Sequence, residues 1–486
     1  MTNSRSWKTY AGLALALATL LLFPSAAAQA QTQETTKPAS QETTKPASEV
    51  DQLKQRLQQL EQIVVELKGQ IDAIETKKTS TPAIVEATYS QPATPAESPD
   101  PEPAKPQDNN KGESTFTVYG FAMLDAGYQF KQNHPDWFDV IRPTKLPSFP
   151  NEFAPNGKSY FGVRQSRLGV KSTTPTKYGE LKTQFEFELF GTGVDAGQTT
   201  FRLRHAYGEL GQFGAGQTWS PFMDIDVFPN SLEYWGPNGM VFFRNVQFRW
   251  MPLKGRNAVT IGIERPGASG DQGVFQDRIE LQGIRGKFDL PDLSGNVRFT
   301  RDWGYFQAAG MLRRIKWVDT IDDEFDLGGT EVGAGLNLTS NVKFTPNDTG
   351  RFAFVIGQGI QNYMNDAPVD VGIEITPGGD PRRPIKGVAL PMWSMVAFLD
   401  HNWSKRFSTA IGYSFMDIDN SNGQAANAYH RGHYGLGNLL FYPSDNVMIG
   451  GEFQWGRREN FLDGFKSDDF RIQFSFRYNF SKSFAY

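Results

Sequence analysis

The 486-residue chain has no cysteine. Disulfide bracing is therefore excluded, and stability has to come from burial or backbone pairing alone. Histidine is almost as scarce, with five residues: His134, His205, His401, His430 and His433. His430 and His433 are three apart, which on a strand puts them on opposite faces and argues against a shared metal ion. Nucleophile elbows, phosphate loops and zinc-ligand spacings are also missing. No catalytic residue, metal or cofactor is expected. Beyond the first thirty residues nothing approaches the ~18 apolar residues of a membrane helix. Helical periodicity is nearly absent after residue 114, which argues against a soluble α/β enzyme. Positive charge is not in excess: 49 Lys and Arg stand against 53 Asp and Glu, a net charge of −4. That balance gives no reason to expect nucleic acid as a partner.

Glycine (48 residues) and aromatics (13%) are plentiful, yet mean hydropathy is only −0.46. A transmembrane β-barrel reconciles the two, because only every second residue has to be apolar. Residues 470–480, FRIQFSFRYNF, carry Phe470, Ile472, Phe474, Phe476, Tyr478 and Phe480 on one face of a strand, and Arg471 and Arg477 on the other. Residues 180–190, ELKTQFEFELF, repeat the pattern, with Leu181, Phe185, Phe187 and Leu189 against Glu180, Lys182, Gln184, Glu186 and Glu188. A barrel with lipid outside and water inside explains both faces. The aromatics then meet lipid, and Arg471 and Arg477 meet the lumen.

Seventeen strand candidates can be counted, but single-chain bacterial barrels have an even number. The weakest, RIELQGIRGKFDL (278–290), loses its alternation midway and is assigned to a long loop. Sixteen strands remain, joined alternately by short turns (PTKYG, DWG, TPND, WSKR, YPSDN) and longer loops. A sixteen-stranded barrel encloses an aqueous channel. The acidic stretches DTIDDEFD (319–326) and DIDN (417–420) fall in outer loops, where lipopolysaccharide contact or adventitious cations would suffice to explain them.

The first 114 residues read differently. Arg5 and Lys8 precede AGLALALATLLLF and an Ala28-Gln29-Ala30 motif, the pattern of an export signal cleaved after Ala30. Its loss would take the net charge from −4 to −6 by removing those two cations. Residues 31–48 contain the direct repeat QETTKPAS QETTKPAS and form a polar spacer that cannot bury a core. From 49 to 75, Val50, Leu57, Val64 and Ile71 occupy heptad position a, and Leu53, Leu60, Leu67 and Ile74 position d. Four unbroken heptads predict a parallel coiled coil, of two or three helices by residue choice, with Ile63 widening the seam toward three. An amphipathic helix lying on its own domain is the alternative. Residues 76–114 are a Pro-rich linker, and 115–486 form the barrel.

Candidate function lies in the lumen. In TTFRLRHAYGEL (199–210), Arg202 and Arg204 share the polar face. Leu168 and Val170 outward put Arg167 inward, with Arg164 formally on the other face. Val246, Phe248 and Trp250 outward put Asn245, Gln247 and Arg249 inward. Arginine stays charged and pairs bidentately with carboxylates, and rings of it select anions in pores. The same arginines could instead brace the wall against Glu186 and Glu188. Residues 217–240, QTWSPFMDIDVFPNSLEYWGPNGM, have the composition of a loop that folds inward and narrows the channel, or of an ordinary outer loop. If inward, Asp224, Asp226 and Glu233 could face the arginines and set a transverse field.

RLRHAYGELGQFGAGQTWSPFMD (202–224), QSRLGVKSTTPT (165–176), RDWGYFQAAGMLRRI (301–315) and the N-terminal coiled coil together resemble the DcaP-like family of trimeric outer-membrane porins. The resemblance covers most of 115–486 and the helical extension. It implies a sixteen-stranded homotrimer in the bacterial outer membrane, in contact with lipid and lipopolysaccharide, with its extension in the periplasm. It implies passage of small anionic solutes such as dicarboxylic acids past Arg167, Arg202, Arg204 and Arg249, and a trimer makes three parallel helices the consistent coiled coil. The competing reading is an outer-membrane anchor whose coiled coil binds a periplasmic partner or the cell wall.

Overall fold

The structure, a computed structural model, describes residues 113–486. The export signal, the QETTKPAS repeat, the coiled coil and all but the last two residues of the Pro-rich linker lie outside the described residues.

Twenty strands follow one another. They are β1 (Thr115–Gln129), β2 (Lys158–Gly162), β3 (Arg167–Thr176), β4 (Gly179–Phe190), β5 (Thr199–Leu210), β6 (Phe213–Trp219), β7 (Arg244–Leu253), β8 (Asn257–Glu264), β9 (Ile284–Gly286) and β10 (Asp292–Arg301). Then come β11 (Gly304–Asp319), β12 (Gly329–Lys343), β13 (Asp348–Gln358), β14 (Val371–Ile375), β15 (Ile385–Ala389), β16 (Pro391–Ser404), β17 (Phe407–Ile418), β18 (Tyr429–Ser444), β19 (Val447–Asn460) and β20 (Lys466–Ala485). Sixteen of them pair antiparallel with their neighbours, and β1 pairs with β20 from Thr115↔Ala485 to Gln129↔Arg471, which closes the barrel. Closure leaves no unpaired edge, the condition for strands to cross a bilayer. The other four strands belong to loops: β2 pairs antiparallel beside the end of β1, β9 beside the end of β11, and β14 and β15 form a separate hairpin.

Both termini of the described chain lie at one end of the barrel, where Ser114 and Tyr486 exchange backbone hydrogen bonds. All five short turns read from the sequence lie at this end. The opposite end carries loop 1 (130–166), loop 2 (191–198), loop 3 (220–243), loop 4 (265–291), loop 5 (320–328), loop 6 (359–390), loop 7 (419–428) and loop 8 (461–465). The 278–290 segment sits in loop 4 as assigned. It also contains a short helical turn (Ile279–Gly283) and the three-residue β9, which the broken alternation did not announce.

The outward face follows the period-two pattern. Phe474, Phe476, Tyr478 and Phe480 are exposed on β20, and Phe185, Phe187, Phe201 and Leu203 on β4 and β5. The inward face departs from it in one sector. Ala309 and Met311 on β11, Ala353 and Val355 on β13, Met392, Val396 and Phe398 on β16, Ala410, Met416 and Ile418 on β17 and Leu436 on β18 all point inward and are buried. The cause is loop 3. It runs inside the barrel, and its Phe222, Met223, Val227, Phe228, Met240 and Val241 pack on this wall. In PMWSMVAFLD both faces of β16 are therefore apolar, one toward lipid and one toward the loop.

A loop taken inside a barrel must satisfy its backbone. The wall supplies the partners. Asn337 and Asn341 donate through Nδ2 to the carbonyls of Phe222 (2.9 Å) and Asp226 (2.7 Å), and Asn438 donates to that of Asn230 (2.7 Å). Glu452 accepts from the amides of Leu232 (2.7 Å) and Glu233 (3.0 Å). Gly239 runs against the wall between Ser394 and Ser414, where a Cβ would stand 2.5 Å from the Phe415 carbonyl oxygen, so only glycine fits.

Arg471 and Arg477 do point inward, but Arg471 is not wet. It is fully buried, donating to Gln454 Oε1 (2.7 Å) and lying 3.6 Å from Glu233 on loop 3. The expectation of a water-facing Arg471 is corrected by the loop that covers it.

Candidate functional site: an arginine cluster at the inner wall

The wall formed by β3, β4, β5 and β7 carries the cluster. Alternation on β4 turns Phe185 and Phe187 outward and Glu186 and Glu188 inward, where both carboxylates are buried. On the neighbouring β5, Phe201 and Leu203 outward leave Arg202 and Arg204 inward. Arg204 bridges the acids, with Nε 2.5 Å from Glu186 and Nη1 2.7 Å from Glu188. Arg167, at the start of β3, lies 3.5 Å from Glu186 and 3.8 Å from Glu188. Arg202 reaches to 3.5 Å of Glu188 from the other side. The structure thus brings Arg167, Arg202 and Arg204 together around one pair of carboxylates.

A fourth arginine was missed by the sequence reading. Arg244 approaches Glu188 to 3.5 Å and lies over the Trp219 ring at 4.6 Å. Parity places it with Val246 and Phe248 on the lipid face. It is the first residue of β7, however, where the chain leaves loop 3, and its side chain turns inward over Trp219. Periodicity holds no signal for it. Four guanidinium groups thus converge on two carboxylates.

Arg249 stands apart. It donates to Gln247 Oε1 (2.7 Å) and to the Trp219 carbonyl, and packs over Tyr207 at 5.1 Å. Arg164 lies before β3, fully buried, with Nη1 2.5 Å from Asp139 and with bonds to the carbonyls of Gly191 and Gln198. It ties loop 1 to loop 2. Burial raises the Asp139 carboxyl above the ordinary range, and Arg164 opposes the shift.

The three acids of loop 3 do not join the cluster. Asp224 accepts from Arg298 (2.6 Å), Tyr305 (2.8 Å) and Thr339 (2.5 Å) and is fully buried. Asp226 is more open but also pairs with Arg298. Glu233 accepts from the Ile141 amide (3.0 Å), the Gly236 amide (2.5 Å) and Tyr434 (3.1 Å). All three fasten the loop to the wall or to loop 1. An Arg298→Ala variant should therefore keep its barrel but lose the bidentate clamp on loop 3. The expected result is larger, noisier single-channel current; wild-type current would mean that apolar packing alone holds the loop.

Arg202 is the member of the cluster that reaches open space, with 28% of its side chain exposed. It borders a recess of about 300 Å³ formed by loops 1, 2, 3 and 6. Opposite it stands Arg142 of loop 1, its guanidinium carbon 4.1 Å from the ring centres of both Trp137 and Trp235, and its Nε 2.8 Å from Asp366. Loop 1 had no role in the sequence reading; it supplies Trp137 and Arg142 to this mouth. Among the described residues no group of acids, histidines and cysteines is arranged to hold a metal ion.

The model of the DcaP outer membrane protein family matches residues 61–374. The chain belongs to the DcaP outer membrane protein family. The crystal structure of the outer membrane channel DcaP of Acinetobacter baumannii superposes with a TM-score of 0.63 at 18% identity, covering 76% of this chain and 97% of that one. An anion-selective porin from Comamonas acidovorans aligns with a TM-score of 0.47 at 13% identity, over 76% and 100%. A loop L8 deletion mutant of OmpT, an outer membrane protein of Vibrio cholerae, aligns with a TM-score of 0.47 at 12% identity, over 76% and 99%. No curated protein matches the chain. This DcaP-family barrel is thus an outer-membrane protein whose inner wall carries the arginine cluster between its closed sheet and loop 3.

Proposed function

We propose that this protein is a passive outer-membrane channel for small anionic solutes such as dicarboxylic acids. The observation that carries the reading is Arg202: it belongs to a cluster of four arginines around two carboxylates, and it borders an open recess at the loop end. Family membership and the fold shared with a DcaP channel support a pore. A guanidinium offers a carboxylate a planar two-pronged donor, and its charge does not titrate in the working pH range. Glu186 and Glu188 hold the arginines in place, so bracing the wall and lining the path are compatible roles for one cluster. Loop 3 narrows the lumen, and its acids act as fasteners rather than as one side of a transverse field.

The reading extends to the assembly. Three barrels associate, the loop end faces outward, and the heptads at 49–75 form a three-helix bundle in the periplasm. The protein performs no chemistry on its solutes. The test is single-channel recording of the purified full-length protein under a salt gradient. A reversal potential of the anion-selective sign, with current reduced by dicarboxylate, is the expected result. Absence of conductance, or cation preference, would reject the reading and favour the anchor.

A further inference from the structure

The outward wall at the loop end is not uniform. Across β17 to β20 three bases stand with two acids, each base within 4 Å of one: Arg431 lies 2.8 Å from Asp417, and Arg457 (3.4 Å) and Lys466 (3.2 Å) share Glu459. Across β8, β10 and β11 the acids are fewer. Ile263, Leu293 and Leu312 point outward and are exposed. Two residues beyond Ile263 and Leu312 stand Arg265 and Arg314, on the same face by the period of two. The registers Asp292↔Glu264 and Leu293↔Leu312 place both level with residue 291, one on each side of it. Their backbones are about 10 Å apart, two strand spacings. Lys316 follows two residues further along β11.

Loop 4 then adds a fourth cation. The pairing Trp317↔Gly286 and the bond from the Lys287 amide to the Lys316 carbonyl (2.8 Å) set Lys287 directly opposite Lys316. Like charges in directly opposed positions destabilise a strand pair. The acid within the group is Asp289, which pairs with Arg314 and lies 3.8 Å from Lys316 Nζ. The acids of loop 5, Asp322, Asp323 and Glu324, follow the end of β11 and are exposed. Four cations thus face one carboxylate, on the lipid side of the wall and bordered by exposed Phe288, Leu290 and Leu293.

We propose that Arg265, Lys287, Arg314 and Lys316 form a binding site for the phosphate groups of lipid A, the phosphorylated glycolipid of the outer leaflet. A phosphate between Lys287 and Lys316 relieves their repulsion, and the arginines on either side of residue 291 offer forked donors to phosphate oxygens. The apolar band beside them meets the acyl chains. The site rests on the reading that the loop end faces outward, but not on the choice of solute.

The experiment measures binding of lipid A to the full-length protein in detergent by native mass spectrometry, alongside enzymatically dephosphorylated lipid A and phosphatidylglycerol. Wild type should bind lipid A at least about tenfold more tightly than either comparison lipid, the worth of one or two charge-assisted hydrogen bonds. The Arg265→Gln/Arg314→Gln/Lys316→Gln variant should lose that preference. The control Arg431→Gln/Arg457→Gln should keep it. Equal wild-type affinity for the dephosphorylated lipid would overturn the proposal without recourse to any variant, as would an unchanged triple variant. The triple variant should retain wild-type reversal potential, because all four cations lie outside the lumen. Absence of anion preference in wild type, with lipid A binding intact, would reject the channel reading and leave this site standing.

Discussion

Removing Arg202 and Arg244 together should abolish anion preference. The double alanine variant removes two of the four guanidinium groups, including the one that borders the recess, and leaves Arg167 and Arg204 beside Glu186 and Glu188. Under a salt gradient the reversal potential should move close to zero, and block by dicarboxylate should disappear. Arg202→Ala alone should produce most of the loss of block, since Arg202 is the member that borders the recess. Arg249→Ala serves as the control: its guanidinium is engaged by Gln247 and the Trp219 carbonyl and touches neither acid, so selectivity should stay near wild type. If the double variant kept its anion preference, the cluster would be wall bracing alone, and the selecting charge would have to be sought elsewhere, beginning with Arg142 across the recess.

The second large effect is on stability. Glu188 is buried, accepts hydrogen bonds from Arg204 and Tyr234, and lies within 4 Å of four arginines. In Glu188→Ala, Arg167 and Arg204 keep Glu186, whereas Arg202 and Arg244 lose the carboxylate they approach. Breaking a buried ion pair by removing one partner typically costs about 3–5 kcal/mol, because the remaining charge is neither solvated nor paired. Urea unfolding of the barrel followed by tryptophan fluorescence should show a loss of that order. Glu188→Ala combined with Arg244→Ala should recover part of it, because one of the stranded charges is removed as well. A loss below about 1 kcal/mol, the usual worth of an exposed pair, would mean that water reaches the cluster freely.

Arg167, Arg202 and Arg204 were legible because each lies on a regular strand whose other face is plainly apolar. Arg244 was not, because the alternation that locates a side chain fails at the first residue after a loop. Loop 3 was legible as an inward candidate from its Pro, Gly and aromatic content. The partners of its acids were not. Asp224 finds Arg298, Tyr305 and Thr339 on three strands, between 74 and 115 residues away. The polar-inward rule failed on β11, β13 and β16 to β18 for the same reason. An inner face is polar only where it meets water, and there it meets the loop.

Strand number, closure and the lipid-facing surface were determined by the sequence itself. They follow from a local rule, because in a bilayer each backbone group must be paired and each outward side chain must be apolar, and a period of two records both. What occupies the barrel was decided only by the tertiary structure. The recess bordered by Arg202, the burial of Arg471 and the convergence of four arginines on Glu188 arise from contacts between segments distant in the chain. Such contacts leave no periodic trace, since what selects them is the fit of charge and volume inside a closed wall.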